Sequence, residues 1–312
     1  MLDAQNQSDD YPTRLKSESW LPRKDPVVWP QEAAVAPASK AALTEAEVQS
    51  FDQNGYLVLK GLFSDAEVAA LTAEAQHLRT GGGNLPPEDV IAEPGNDAAV
   101  RTVFRLDENN RLFDRLARDA RVAGRVQQLL GDALYLHQSR LNYKPGFTGK
   151  EFYWHSDFET WHAEDGMPRM RAISASILLT DNSALNGPLM LIPGSHRQFI
   201  ACAGETPENN HAQSLKKQEI GVPSQESLAR MAETHGIDYA SGKAGTVILF
   251  DCNVLHGSNG NITPSPRSNA FFVYNAWSNR LRAPYAAPAP RPDFLSNRQP
   301  KAPITLEDGT FA

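Results

Sequence analysis

The change of hydrophobic period near Ala133 constrains this chain's fold more than any other feature of its sequence. Before that point apolar residues recur at helical spacing. The stretch LTEAEVQSFDQNGYLVLKGLFSDAEVAALTAEAQHLR predicts a helix opened by Thr44, a short strand at Tyr56 to Leu59, and a second helix opened by Ser64 with Val68, Leu71 and Ala75 on one face. LFDRLARDARVAGRVQQLLG reads as a further amphipathic helix ending at Gly131. After that point ALYLHQSRLNYKPG, RAISASILLTD, PLMLIPGSH, AGTVILFD and SNAFFVYNAW read as strands separated by Gly, Pro and Asn turns. Helices first and many antiparallel strands afterwards predict an α+β chain built on a β-sandwich or jelly roll with supporting N-terminal helices.

Residues 1–40 are rich in Pro, Asp, Ser and Ala without a sustained period, which predicts a partly flexible surface arm outside the core. Residues 41–312 then form a single domain, with a polar insertion at about 199–241 that carries a helix near Gln225 to Glu233. Whether the insertion acts as a lid is left open by the sequence. The tail beyond Arg282 is proline-rich and is expected to be extended. The net charge of -7 comes from interspersed residues, which argues against a nucleic-acid partner. No apolar stretch is long enough to span a bilayer, and MLDAQNQSDDYPTR has no signal-peptide character, so a cytoplasmic protein is expected. Cys202 and Cys252 show no CxxC spacing and read as free thiols.

Chemistry concentrates in FYWHSDFETWHAEDGMP, from Phe152 to Pro168. Read as part of a strand, His155 and Asp157 project from one face and offer an imidazole and a carboxylate to a metal. His256, which follows the strand AGTVILFD, is the candidate third ligand. Two histidines and one carboxylate leave positions open in the facial arrangement used by non-haem Fe(II) oxygenases. Arg267 begins RSNAFFVYNAW, and its planar guanidinium suits a carboxylate, here the distal carboxylate of 2-oxoglutarate. Ser258 can donate a further hydrogen bond to the same group. An HxD triplet alone arises often by chance, and the joint presence of His256 and Arg267 is what raises the metal reading.

With these residues the chain resembles the Fe(II)/2-oxoglutarate-dependent dioxygenases, on the phytanoyl-CoA dioxygenase branch. FYWHSDFETWHAEDGMP is similar to the signature segment of the ectoine hydroxylases, as are NGPLMLIPGSH, FDCNVLHGSNGN and RSNAFFVYNAWSNRL to that family's later strands. The resemblance runs from about Ala41 to Arg298. It implies a double-stranded β-helix, cupin-like core and hydroxylation of ectoine to 5-hydroxyectoine, with 2-oxoglutarate and O2 converted to succinate and CO2. It implies that His155, Asp157 and His256 hold Fe(II) and that Arg267 and Ser258 anchor the cosubstrate. The resemblance also implies that Asn142, Phe152, Phe104 and Phe250 lie on the cosubstrate side and that Gln138, Thr160, Trp161, Asn269, Phe271 and Arg291 lie around the substrate. The aromatic faces of Trp161 and Phe271 suit the delocalised ring cation of ectoine, while Gln138, Thr160 or Arg291 meets its carboxylate. His162, Glu164 and Asp165 read as loop residues, either solvated, which is the preferred reading, or placed behind the ligands to orient them. Asp157 argues for hydroxylation, because the related halogenases carry a small residue at that position to admit halide. A homodimer is compatible with this reading. The competing readings are a related oxygenase acting on another small molecule or an acyl-CoA, and a non-catalytic barrel that binds a metal or solute.

Overall fold

The computed structural model describes residues 9–32, 42–93, 95–215 and 217–310. Its elements run β1 (Ser19–Pro22), α1 (Glu45–Asn54), β2 (Tyr56–Leu59), α2 (Asp65–Arg79), β3 (Val90–Glu93) and β4 (Asn96–Phe104). Helical runs at Arg111–Arg118 and Arg125–Leu130 lead to β5 (Leu134–Lys144), β6 (Phe152–His155), β7 (Ala172–Leu178), β8 (Leu189–Leu191) and β9 (Gln198–Ala201). After a helix at Gln225–His235 come β10 (Asp238–Ala240), β11 (Val247–Asp251), β12 (His256–Ser258) and β13 (Arg267–Ala276).

Both N-terminal helices begin where the sequence places them, because Thr44 with Glu47 and Ser64 with Glu67 form complete capping boxes. α1 stops at Gly55, whose φ of 80° suits a residue without Cβ. The strands form two antiparallel layers. One sheet has the order β2-β11-β7-β13-β5-β4-β3 and the other β10-β8-β12-β6, which is the jelly-roll core expected from the strand pattern. Alternation along β13 divides its side chains between two cores. Ala270, Phe272 and Tyr274 pack outward with Phe51, Leu71 and Phe113 from the helices, and Phe271 packs between the sheets with Leu178, Leu191, Ile248 and Phe250.

Three expectations are corrected. The single helix expected up to Gly131 is broken at Asp119, whose backbone is extended (φ -59°, ψ 122°) and whose carboxylate accepts from the Arg121 N–H at 2.8 Å. An Asp side chain competes with helix hydrogen bonds in this way, and the periodicity on either side concealed it.

Residues 9–32 do not lie outside the core. β1 pairs with β9, Tyr11 is buried with its ring 5.3 Å from those of both Phe158 and Phe199, and Arg23 pairs with buried Asp251 at 2.8 Å. Part of this arm's polar composition is buried, paired charge: Arg14 with Glu159, Arg23 with Asp251 and Asp25 with Arg169. The rest of the expected arm, residues 1–8 and 33–40, lies outside the described residues. The segment at 199–241 is less irregular than expected, since β9 and β10 fall at its ends and its helix extends to His235. Among the described residues no helix is long and apolar enough to cross a membrane.

Breaking the arm's inner ion pair with Arg23→Ala leaves Asp251 buried without its counter-charge, an expected loss of about 3–5 kcal/mol. Thermal denaturation should show a melting temperature lowered by roughly 5–10 °C. The exposed pair Lys24–Asp10 provides the contrast, with Lys24→Ala expected to change stability by less than about 0.5 kcal/mol.

Candidate active site

β6 ends at His155, and Asp157 opens the short helix Asp157–Thr160. The two ligands therefore converge through a strand-to-helix turn, not through the alternation of one strand. Backbone and side-chain bonds hold that turn in place. The Phe158 N–H donates to the Cys252 carbonyl at 2.8 Å and the Ser156 hydroxyl to Asn253 Oδ1 at 2.9 Å. Asn253 in turn donates to the carbonyls of His196 and Gln198. His256 opens its own strand, β12, and stands opposite His155 in the β12–β6 pairing.

Ligand atoms of His155, Asp157 and His256 all lie within 4.8 Å of one another. His155 Nε2 is 3.6 Å from Asp157 Oδ1, and His256 Nε2 is 3.8 Å from Oδ2. The Nδ1–H of His155 donates to the Tyr153 carbonyl at 2.7 Å and that of His256 to the Val254 carbonyl at 3.0 Å. Each ring is thereby held in the tautomer that turns a free Nε2 lone pair toward the carboxylate. Burial, together with the neighbouring His155, brings the His256 pKa down to about 4, which keeps this imidazole neutral at physiological pH. Burial alone would raise the Asp157 carboxyl, yet His256, His155 and Arg140 hold it well below the usual carboxylate range. Two imidazoles, each with its Nε2 turned inward, and one ionised carboxylate are a donor set that fits Fe(II).

The triad opens into a cavity of about 830 Å³. Of the residues expected around it, Arg267, Ser258, Asn142, Phe152, Phe104, Gln138, Thr160, Trp161, Phe271 and Arg291 line its wall. Asn269 and Phe250 do not. Asn269 is fully buried and donates to Ser176 across the sheet at 3.1 Å, and Phe250 packs beneath the site with its ring 5.0 Å from that of His256. Both belong to the floor that supports the site. Phe271 already carries the Arg140 guanidinium over its ring, 4.9 Å from the centroid.

Asp165, His162 and Glu164 are buried, contrary to the solvated loop expected of them. Asp165 accepts two bonds from Arg291, at 2.8 and 2.6 Å, and fixes that guanidinium at the cavity edge. His162 stacks on Tyr285 with ring centroids 4.0 Å apart. Glu164 accepts from Asn210 at 2.8 Å.

Arg140 and Lys144 were missed in the sequence, although the signal was present. Gln138, Arg140, Asn142 and Lys144 alternate along β5, so naming Gln138 and Asn142 places the other two on the same face. Arg140, Asn142 and Lys144 stand opposite Phe271, Asn269 and Arg267 in the β5–β13 pairing. Among the described residues no carboxylate lies within 4 Å of the charged groups of Arg140, Lys144 or Arg267. Arg267 donates to the Gly187 carbonyl at 2.5 Å, while its Nε has no partner. Burial, with Arg101 nearby, lowers the Arg267 pKa to about 10, which still leaves it charged. A charged, buried and incompletely satisfied guanidinium on a cavity wall is a site built for an anion.

The chain matches the phytanoyl-CoA dioxygenase (PhyH) family over residues 51–269. It is 52% identical over 305 residues to the ectoine dioxygenase of Sphingopyxis alaskensis, covering 96% of this chain and 97% of that protein. The crystal structure of EctD from S. alaskensis with 2-oxoglutarate and 5-hydroxyectoine superposes with a TM-score of 0.87 at 48% identity, covering 98% of this chain and 100% of the other. The structure of the same protein with bound Fe gives a TM-score of 0.84 at 47% identity, with the same coverage.

Replacing a ligand of the triad should cost more metal affinity than the ~10–100-fold typical of removing an outer partner. His155→Ala and His256→Ala should each abolish tight Fe(II) binding in anaerobic titration. Unchanged affinity in either variant would place the metal elsewhere.

Proposed function

The chain belongs to the phytanoyl-CoA dioxygenase family, and from that premise we infer that it is an Fe(II)- and 2-oxoglutarate-dependent ectoine hydroxylase. It adds one oxygen atom of O2 to ectoine, giving 5-hydroxyectoine, while 2-oxoglutarate takes the other and leaves as succinate and CO2. The observation that carries this reading is that the His155, Asp157 and His256 triad and the unpaired Arg267 open into one cavity. The near end-to-end match to an ectoine dioxygenase selects the substrate.

Fe(II) bound at the triad supplies the activation of O2 and the attack on an unactivated C–H bond, chemistry that no side chain performs. The chain's own residues bind, orient and exclude water. Arg267 and Ser258 take the distal carboxylate of 2-oxoglutarate, which directs its other end toward the triad, between Phe152 and Asn142. Asn142 is held in place by Thr102, which donates to its Oδ1 at 3.1 Å.

Ectoine occupies the opposite side. Trp161, wedged edge-on against His137 with ring centroids 5.1 Å apart, offers a fixed aromatic surface to the ring cation. Its carboxylate meets Arg140 and Arg291. Gln138 joins this wall to the tail, because its Nε2 donates to the Leu295 carbonyl at 2.7 Å. Thr160 is tied to the insertion by Gln218, which donates to its hydroxyl at 3.3 Å. The insertion residues Leu215, Ile220 and Val222 complete the wall and keep bulk water from the reacting centre.

Anaerobic reconstitution with Fe(II), followed by 2-oxoglutarate, O2 and ectoine, should yield one succinate for each ectoine that gains an oxygen by mass spectrometry. Succinate without hydroxylated ectoine would overturn the substrate. Arg267→Ala should raise the KM for 2-oxoglutarate by roughly 30-fold or more, about 2–5 kcal/mol of lost charge-assisted binding, and an unchanged KM would remove Arg267 from the cosubstrate site.

A further inference from the structure

Arg291 reaches the cavity from the tail, between Pro290 and Pro292, in a stretch without helix or strand. Neither proline has a backbone N–H to tether the chain there. The side chain is placed instead by Asp165, whose carboxylate is fully buried and accepts from Nε at 2.8 Å and from Nη2 at 2.6 Å. That two-point grip fixes the plane of the guanidinium. Nη1 is the nitrogen left over: among the described residues nothing accepts from it, on a side chain that lines the cavity.

The same carboxylate braces a second part of the wall. His137 is fully buried with its Nε2 3.2 Å from Asp165 Oδ2, and its ring supports Trp161 edge-on at 5.1 Å. Arg298 bonds only the backbone carbonyl of Asp165, at 2.5 Å, which leaves the carboxylate to Arg291 and His137.

The cavity therefore holds its arginines against different backgrounds. Arg267 has no carboxylate partner, and burial with Arg101 nearby lowers its pKa. Burial also works against the charge on Arg291, yet Asp165, with Glu164 and Asp157 beyond it, raises its pKa. Arg140, between Gln138 and Asn142 on β5, has Asp157 as its opposing charge. A dicarboxylate gains most beside a cation that nothing balances. A ligand with one carboxylate and one delocalised cation gains more where an arginine is already balanced, because no surplus positive charge repels its own cation.

We propose that Asp165 sets specificity at the substrate end of the cavity, aiming Arg291 Nη1 at a single carboxylate and balancing the arginine's charge so that this end takes the zwitterionic substrate and not a second dicarboxylate. This rests on the reading of ectoine as substrate given above. Asp165 touches neither metal nor substrate and is a positioning residue that acts through Arg291. Asparagine in its place accepts through one oxygen only and turns its NH2 toward the second donor, which loosens the guanidinium and leaves its charge unbalanced.

The test is steady-state kinetics of the Fe(II)-loaded chain with ectoine and 2-oxoglutarate varied against each other. Asp165→Asn should raise the KM for ectoine by roughly tenfold or more, with the KM for 2-oxoglutarate and the affinity for Fe(II) unchanged. Excess 2-oxoglutarate should also become an inhibitor that competes with ectoine, which it is not in the wild type. Both effects should vanish as separate contributions in an Arg291→Ala background, since they pass through the same guanidinium. Asp165→Glu, which keeps the charge but displaces it, should raise the ectoine KM without that inhibition. An unchanged ectoine KM in Asp165→Asn would overturn the proposal, as would equal rises in both KM values, which mark a residue that only supports the fold. Competition between 2-oxoglutarate and ectoine in the wild type would overturn it whether or not the variants fold. A wild type that consumes 2-oxoglutarate without oxygenating ectoine would instead sink the substrate reading on which the proposal rests.

Discussion

The pairing of β12 with β6 sets His256 opposite His155, and the site cannot exist in any other register. A one-residue slip of β12 would turn His256 and Ser258 from the interior to the opposite face and leave His155 without its partner. The chain protects this register from both sides. β12 is also paired to β8, and the turn that follows β6 is tied down by Phe158, Ser156 and Asn253. The third ligand, Asp157, depends on that turn. A metal site assembled from a strand end, a helix start and a neighbouring strand needs each of these junctions to be rigid.

Charge is arranged by the same economy. Most buried cations are paired: Arg23 with Asp251 and Arg14 with Glu159, two residues beyond the metal ligand, and on the cavity wall Arg101 with Glu93 and Arg291 with Asp165. These pairs fasten the N-terminal arm and the walls to the core. Inside the cavity Arg140 and Arg267 remain without carboxylates, and Asp157 is the anion at its centre. The unmatched cations define where anionic ligands belong, and the triad between them defines where chemistry occurs. Two ligands that each carry a carboxylate can therefore be held in one orientation apiece, with their reactive ends meeting at the metal.

Much of this was legible in the sequence. The capping boxes at Thr44 and Ser64, the strand at Tyr56 and the long strands β5, β7, β11 and β13 follow from local spacing, because each is long or carries an explicit start signal. The short strands β1, β9, β10 and β12 do not, since they have three or four residues and owe their existence to partners distant in sequence. The triad was legible through motif and resemblance, although the alternation argument for His155 and Asp157 was wrong in its geometry. Arg140 and Lys144 were concealed because lysine and arginine on a strand ordinarily face water. Their alternation with Gln138 and Asn142 marked this face of β5, and the pairing with β13 shows that it is interior. The burial of Asp165 was concealed for a similar reason: its partner, Arg291, lies far along the chain.

The most direct test of the whole account is an anaerobic crystal structure of this chain with Fe(II) and 2-oxoglutarate. The account predicts a metal bonded by the Nε2 atoms of His155 and His256 and by an oxygen of Asp157, with the distal carboxylate of 2-oxoglutarate on Arg267 and Ser258. A metal bonded through either Nδ1, or a cosubstrate whose distal carboxylate lies away from Arg267, would contradict it.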